Sequence, residues 1–415
     1  VRLSSAYYSL DLIKSMSYKP AYSVLFEAAR NTMPGQDYIA KNSKGLAPME
    51  GVTDFPTRYW FRMIGGMDFL WTPFLRVTDS FPKTFPEAFA PELFKLKGRF
   101  KTPLVIQIMG SRPDDVVRTA ECLGERIDFI DLNCGCPSPT VVGSRAGSSL
   151  LEHVDLFSSF IESVVQRVGP RRLSVKVRTG FHHESELDGI LDSIQNVPLR
   201  HITVHGRTRP QRYKGASNWS RIEIASRICK IPVIGSGDIC DDSGFSRRLH
   251  DQSRVHAVIV GRGALRNPWV FSGKREAPVS LAWLFFVVLQ DVYLESSDLL
   301  VRWVADSSLE RLSTSDDFWQ ATASLLNYCG RSVARPEDVA CSPRALARGK
   351  MIWGYLRSSL PLPFMDPMIM RAKTVSELLQ AVDEISRQLD LEPDNLPLRY
   401  DAERDWIYSG EGRGT

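Results

Sequence analysis

Long apolar runs are missing from this sequence. The longest, residues 281–289 (LAWLFFVVL), is nine residues, far short of the ~20 a helix needs to span a bilayer. It reads as a buried helix, and no membrane partner is expected. Cysteine is sparse as well: seven in 415 residues, an odd number without regular spacing. That excludes a disulfide framework and points to a reducing compartment inside a cell. The close pair Cys134-Gly135-Cys136 is C-x-C, not C-x-x-C, and has no second pair to match it. Neither a redox motif nor a zinc knuckle is expected, and no metal. An excess of one charge is also lacking. Net charge is only +4, so where the cations fall matters more than their number.

What is present is an ordinary globular composition, 43% hydrophobic and 24% charged, and a chain long enough for a barrel-sized domain plus a smaller one. Residues 1–44 read as an extension, with Asp11, Glu27 and Asp37 their only acids. They lack the continuous apolar core of a secretory signal. A cytoplasmic location is expected, with organellar targeting by this extension left open, as is the true start of the chain. From residue 45 a rhythm begins. Short apolar runs at 45–49, 69–72, 104–109, 129–133, 173–177, 201–205, 233–235 and 257–261 alternate with amphipathic segments such as 114–124, 154–168 and 187–197. Eight nearly all-apolar strands separated by helices argue for an α/β fold, a parallel (β/α)₈ TIM barrel. No internal repeat beyond this alternation is seen.

The stretch 129–147 (FIDLNCGCPSPTVVGSRAG) organises the rest. Its first five residues read as a strand. Gly135, Pro137, Pro139, Gly143 and Gly147 then keep the following segment irregular. The strand therefore delivers Asn133, Cys134 and Cys136 to its C-terminal end, where barrel chemistry sits. Most cysteines act as small buried apolar groups, which suits Cys122, Cys134 and Cys229. Cys136, between a glycine and a proline, is the candidate acid or nucleophile.

Other strand ends carry Pro48, Met49 and Glu50, then Gln107, Lys176 with Arg178, and His205 with Arg207. The seventh strand ends in Gly235-Ser236-Gly237-Asp238 and the eighth in Gly261-Arg262-Gly263. Glycine turns at those two strands, with an arginine fork, suit a phosphate-bearing cofactor. A lysine inside an apolar strand needs an anionic or carbonyl partner. With His205 and Gln107 it would ring a flat heterocycle such as a flavin, whose reduced form is anionic. Beyond the sixth strand, Arg207, Arg209, Arg212 and Lys214 fall in a segment with no acid between Gly206 and Ser220, with Tyr213 and Trp219 interleaved. That pattern suits an RNA backbone with an unstacked base. Residues 343–359 read as a basic amphipathic helix carrying Arg344, Arg348, Lys350 and Arg357. Another helix is expected near 375–389.

Six motifs in order, APMEGVTD (47–54), FLRVTD (74–79), DLNCGCPSPTVVGS (131–144), SVKVRTG (174–180), VHGRT (204–208) and IVGRGAL (259–265), resemble those of the tRNA-dihydrouridine synthases. The likeness covers about 45–389, matches poorly over 295–343, and is most similar to the dihydrouridine synthase C branch, which acts at position 16 of the D-loop. It implies an FMN-bound barrel (45–275) and a helical tRNA-binding domain (276–390, with 295–343 open to reading as an insertion); the polar residues 391–415 read as a tail. NADPH is the implied reductant. Carried over residue by residue, Cys136 matches the catalytic cysteine. Pro48, Met49, Gln107, Lys176, His205, Ser236, Gly237, Asp238, Gly261 and Arg262 match cofactor positions. Asn133 matches a substrate contact, and Arg145, Arg178, Arg207, Arg209, Arg212, Lys214, Arg348, Lys350 and Arg357 are expected to meet the RNA. Ser236 often is asparagine in the family, and Arg145 stands in a loop that is usually glycine-rich. The expected reaction reduces a D-loop uridine to 5,6-dihydrouridine, with hydride to C6 and a proton from Cys136 to C5, by a monomer. The alternatives are a small-molecule flavin reductase of the dihydropyrimidine or dihydroorotate dehydrogenase type, and a tRNA-binding barrel without turnover.

Overall fold

The computed structural model describes residues 39–80, 84–249, 254–275 and 277–391. Most of the extension expected at 1–44 and nearly all of the tail expected at 391–415 lie outside them. Eight strands close into a barrel in sequence order: β1 (Ser43–Leu46), β2 (Phe69–Arg76), β3 (Leu104–Met109), β4 (Ile130–Cys134), β5 (Leu173–Arg178), β6 (Ile202–His205), β7 (Val233–Ser236) and β8 (Ala257–Val260). All pairs are parallel, and β8 returns to β1 with Ser43 opposite Ala257 and Leu46 opposite Val260. Almost every strand residue is buried, because the inner face fills the barrel and the outer face lies under helices. The expected strands are all there. β1 sits earlier than its apolar run suggested and stops at Leu46. Residues 47–54 are thereby left as a loop, and Pro48 in that loop lacks the N–H a ladder needs. β2 carries Pro73, and its register with β3 shifts between Trp71 and Phe74.

The first outer helix, α1 (Phe55–Ile64), starts at an Asp54 cap that accepts from the Thr57 amide, with Pro56 in its first turn. The barrel's other helices are α2 (Pro113–Leu123), α3 (Pro139–Gly143), α4 (Val154–Val168), α5 (Glu186–Ile194), α6 (Trp219–Ile228), α7 (Asp242–Arg248) and α8 (Arg262–Arg266). One expectation is corrected here. The segment after β4 is not irregular: α3 and a 3-10 turn at Gly147–Leu151 follow the two prolines, since proline is well placed in a first helical turn.

The apolar run expected to be buried does form one helix, α9 (Val279–Glu295), buried from Val279 to Val292 except at the half-buried Leu281. Among the described residues no helix is long and apolar enough to cross a membrane. Instead α9 is the spine between barrel and helical region. Trp60 Nε1 of α1 donates to Ala282 O of α9 at 2.7 Å. Trp283 Nε1 of α9 donates to Gly349 O of α12 (Pro343–Leu356) at 2.7 Å. A Cβ on Gly349 would lie 2.4 Å from Val287 Cγ2, so only glycine lets these two helices come so close. Between them, α10 (Ser297–Asp306) and α11 (Ser315–Tyr328) occupy the stretch 295–343 and pack against α9. Two further helices, α13 (Pro367–Arg371) and α14 (Val375–Gln388), complete the region. Barrel and helices share one continuous apolar core.

Candidate active site

A cavity of about 380 Å³ opens at the C-terminal mouth of the barrel, inside the ~300–1,000 Å³ range of small-molecule sites. The expected residues that line it are Pro48, Met49, Asn133, Cys136, Lys176, Arg178, His205, Arg207, Ser236, Gly237, Asp238, Gly261 and Arg262. They come from the ends of six different strands, so barrel closure is what assembles them.

Cys136 is held by its backbone. Its N–H donates to Asn133 Oδ1 at 3.0 Å, and its carbonyl accepts from Ser148 N and Ser148 Oγ at 3.2 and 2.8 Å. Gly147 has φ +61°, and a Cβ there would sit 3.1 Å from Cys136 Cβ and 2.7 Å from Val141. The turn thus requires glycine to let the chain pass behind the thiol. The half-buried thiol faces the cavity, and burial raises its pKa above the ordinary value, with Glu50 adding to the rise and Arg178 and Lys176 opposing it. The thiol is therefore a protonated acid at neutral pH. Cys134 is buried as expected, but Cys122 and Cys229 are only partly so, because each sits at the C-terminal end of an outer helix.

Asn133 belongs to a buried chain of polar groups. Ser174 Oγ donates to Asp131 Oδ1 (2.6 Å), Gln107 Nε2 donates to Asp131 Oδ2 (2.7 Å), and Asn133 Nδ2 donates to Gln107 Oε1 (2.9 Å). Asn133 Oδ1 then accepts from the Gly135 and Cys136 amides, both at 3.0 Å. Gln107, expected at a flavin, sits beneath the cavity wall and supports it. Asp131 and Ser174 had gone unassigned. A carboxylate within an apolar strand is the signal that marks them.

Lys176 neighbours Asn133 across the β4–β5 ladder. Burial and then the Arg178 charge lower its ammonium pKa to about 8, despite Asp131. His205 is buried, and burial, followed by Arg178, Lys176 and Arg207, holds its pKa well below the ordinary value. The ring is neutral. Arg207 Nη1 lies 3.3 Å from its Nε2, and since a guanidinium only donates, Nε2 accepts and Nδ1 carries the proton.

The expected cations divide into two groups. Arg178 is buried and donates to the carbonyls of Gly135 (2.7 Å), Thr208 (2.9 Å) and Arg212 (2.7 Å). Arg207 is buried too, paired with Asp238 at 2.7 and 2.8 Å and bonded to Gly215 O at 2.6 Å. The Asp238 carboxylate, which also accepts from Ser217 N at 2.6 Å, is therefore spent on the turn. Arg348 is tied to Asp54 at 2.7 Å. By contrast, Arg212, Lys214 and Arg145 are exposed, while Arg209, Lys350 and Arg357 are partly so. Arg209 lies over the Phe181 ring at 4.2 Å. Arg262 sits over the Tyr213 ring at 5.0 Å. Tyr355 of α12 and Arg266 of α8 line the cavity without having been foreseen. Tyr355 stands within the helix read at 343–359, and no sequence signal aims it at the barrel.

A cavity with a neutral histidine, a desolvated lysine, several arginines and a thiol acid can take an anionic, flat ligand on one wall and protonate a second beside it. Among the described residues no cluster of three or more metal-ligating side chains occurs. The family model for dihydrouridine synthase matches residues 45–285. A tRNA-dihydrouridine(16) synthase from Haemophilus ducreyi is 34% identical over 57% of this chain and 74% of its own length. A probable tRNA-dihydrouridine synthase from Aquifex aeolicus is 29% identical over 60% and 78%, and a tRNA-dihydrouridine(16) synthase from Pasteurella multocida 31% over 61% and 82%. Among solved structures, the old yellow enzyme from Trypanosoma cruzi overlays with a TM-score of 0.40 at 10% identity, over 55% of this chain and 87% of that one. That likeness is too slight to argue from.

Proposed function

From the premise that the chain belongs to the dihydrouridine synthase family, we propose that it reduces a D-loop uridine of tRNA to 5,6-dihydrouridine, with FMN in the barrel mouth and NADPH as reductant. The residues fit such a cofactor. Pro48 and Met49 give an apolar wall, Lys176 supplies a cation, and His205 offers a neutral imidazole. Gly237 and Gly261 let backbone come close to a phosphate, with Arg262 beside them. FMN held by these residues would supply the hydride chemistry, with NADPH as the source of the reducing equivalents.

This chain's own residues do the rest. The Cys136 Sγ–H donates its proton to C5 of the uracil ring, and burial keeps that proton in place at neutral pH. Asn133 and Ser148 fix the Cys136 backbone so that the thiol keeps its aim. Lys176 provides positive charge where negative charge develops. The target base must leave its stack, at a cost of a few kcal/mol. The exposed Arg212 and Lys214 and the partly exposed Arg209 of the loop after β6 are placed to offset that cost by gripping the RNA backbone.

The observation that carries this reading is the convergence of a protonated thiol, a desolvated lysine and a neutral histidine in one cation-rich cavity. The test is an absorbance spectrum of the purified protein, repeated after NADPH and then unmodified tRNA. Flavin bands that bleach with NADPH and return anaerobically with tRNA are expected. A protein that cannot be loaded with FMN overturns the proposal, and turnover of free uracil with none of tRNA favours the small-molecule reductase.

A further inference from the structure

Arg348 stands in the sequence among cations expected to face RNA. The fold uses it otherwise. Its Nη2 pairs with Asp54 Oδ2 at 2.7 Å and reaches Val52 O at 3.5 Å, and its Nη1 donates to Gly51 O. Its Nε lies 3.4 Å from Gln290 Oε1 on α9, and Gln290 Nε2 donates to Asp54 Oδ1 at 3.0 Å. Asp54 is at the same time the cap of α1. Helical region, spine helix and the loop after β1 are thus tied at one carboxylate. That loop is the cavity wall built from Pro48 and Met49. It forms its own turn, with the Val52 and Thr53 amides donating to Met49 O at 3.1 and 3.0 Å and Met49 N donating to Thr53 Oγ1 at 3.0 Å.

We propose that Arg348 is a positioning residue that locks the 47–54 loop onto the helical region and so fixes the cofactor wall. Its guanidinium satisfies two carbonyls of the turn and the carboxylate that ends it. Without it the Gly51 carbonyl loses its anchor, while Val52 O keeps the Asp54 amide at 2.9 Å and Asp54 keeps Gln290 and the α1 cap. The catalytic consequence rests on the uridine-reduction reading; the lock itself does not. Because α12 also carries Lys350 and, beside its end, Arg357, RNA held there is held on the same helix that steadies the wall.

The test uses the full chain with Arg348→Ala and Arg348→Lys. Three quantities are read: hydrogen exchange at the Met49, Val52 and Thr53 amides, FMN affinity, and the salt dependence of tRNA binding. In the alanine variant those amides are expected to exchange about tenfold faster or more, with β4 and β5 unchanged, as in local opening. FMN affinity should fall roughly 3- to 30-fold, and the salt slope should stay as in wild type. Lysine, which restores one charge but not the fork, should recover part of both losses. Unchanged loop exchange with a salt slope reduced by about one would make Arg348 an RNA phosphate contact and overturn the lock. If the alanine variant unfolds throughout, the lysine variant decides: loop exchange at wild-type rates also overturns it. Wild-type protein that never reduces tRNA, yet whose loop opens on substitution, would end the functional reading and leave the lock standing.

Discussion

Asn133→Ala tests whether this asparagine holds the catalytic loop or meets the substrate. In the fold its Oδ1 accepts two amides, from Gly135 and Cys136, and its Nδ2 supports Gln107. Alanine leaves the buried Gly135 amide without a partner and the Cys136 amide partly so. A buried orphaned donor costs ~1–3 kcal/mol, and the second amide reaches some water, so the loss should total ~2–4 kcal/mol. At ~2 °C per kcal/mol for a large domain, Tm should fall roughly 4–8 °C. The released thiol also loses its aim, and a misplacement near 1 Å costs about 10²-fold in rate. The assay pairs thermal unfolding with turnover on tRNA, using Cys136→Ala as the comparison that should lose turnover with Tm unchanged. A wild-type Tm in Asn133→Ala, with KM for tRNA raised and kcat kept, would refute the loop-holding role and return Asn133 to substrate contact.

Three further outcomes are expected. Cys136→Ala should lower turnover on tRNA by ~10²–10⁴, the usual worth of a positioned acid, while still binding FMN; undiminished turnover would remove the acid role. The pH profile should fall in two stages. Lys176 carries its charge below its pKa of about 8 and loses it as pH rises through that value, whereas the raised thiol pKa keeps Cys136 protonated to higher pH than an ordinary cysteine. Turnover should therefore begin to decline near pH 8, and in Lys176→Met the lower remaining rate should stay flat through that range; a limb that survives the substitution would belong to another group. Arg212→Ala and Lys214→Ala should each reduce the slope of log affinity for tRNA against log salt by about one, because both side chains are exposed, while Arg178→Ala, which unties three carbonyls, two of them in buried hydrogen bonds, should appear instead as lost stability in denaturant titration.

The barrel was legible because its strands are built around runs of apolar residues and most are closely followed by a glycine, proline or charge. Composition of that kind changes little whatever lies next to it. Strand ends then exposed Cys136, Lys176 and His205, since polar groups closing apolar strands have few places to go but the mouth. What the chain could not disclose was how its cations are spent. Arg178, Arg207 and Arg348 look like Arg212 in a linear reading, yet they find carbonyls and carboxylates up to hundreds of residues away. Pairing of that sort depends on closure of the barrel and on the path of α9, not on neighbours in sequence. The short helix after β4 escaped for a smaller reason: prolines that break a strand are the same residues that begin a helix.

The seam between β1 and β8 has a consequence for how the chain is made. Ser43 faces Ala257, so the first strand waits for its second neighbour until the last is synthesised. At ~5–20 residues per second, a ribosome needs roughly 10–40 s to cover that interval of about two hundred residues. Throughout it, the edge of β1 that pairs with β8 and the face of α1 that packs on α9 wait for their partners. A nascent chain of this protein should accordingly engage holding chaperones until the β8 sequence and α9 have left the exit tunnel, and release them together rather than strand by strand.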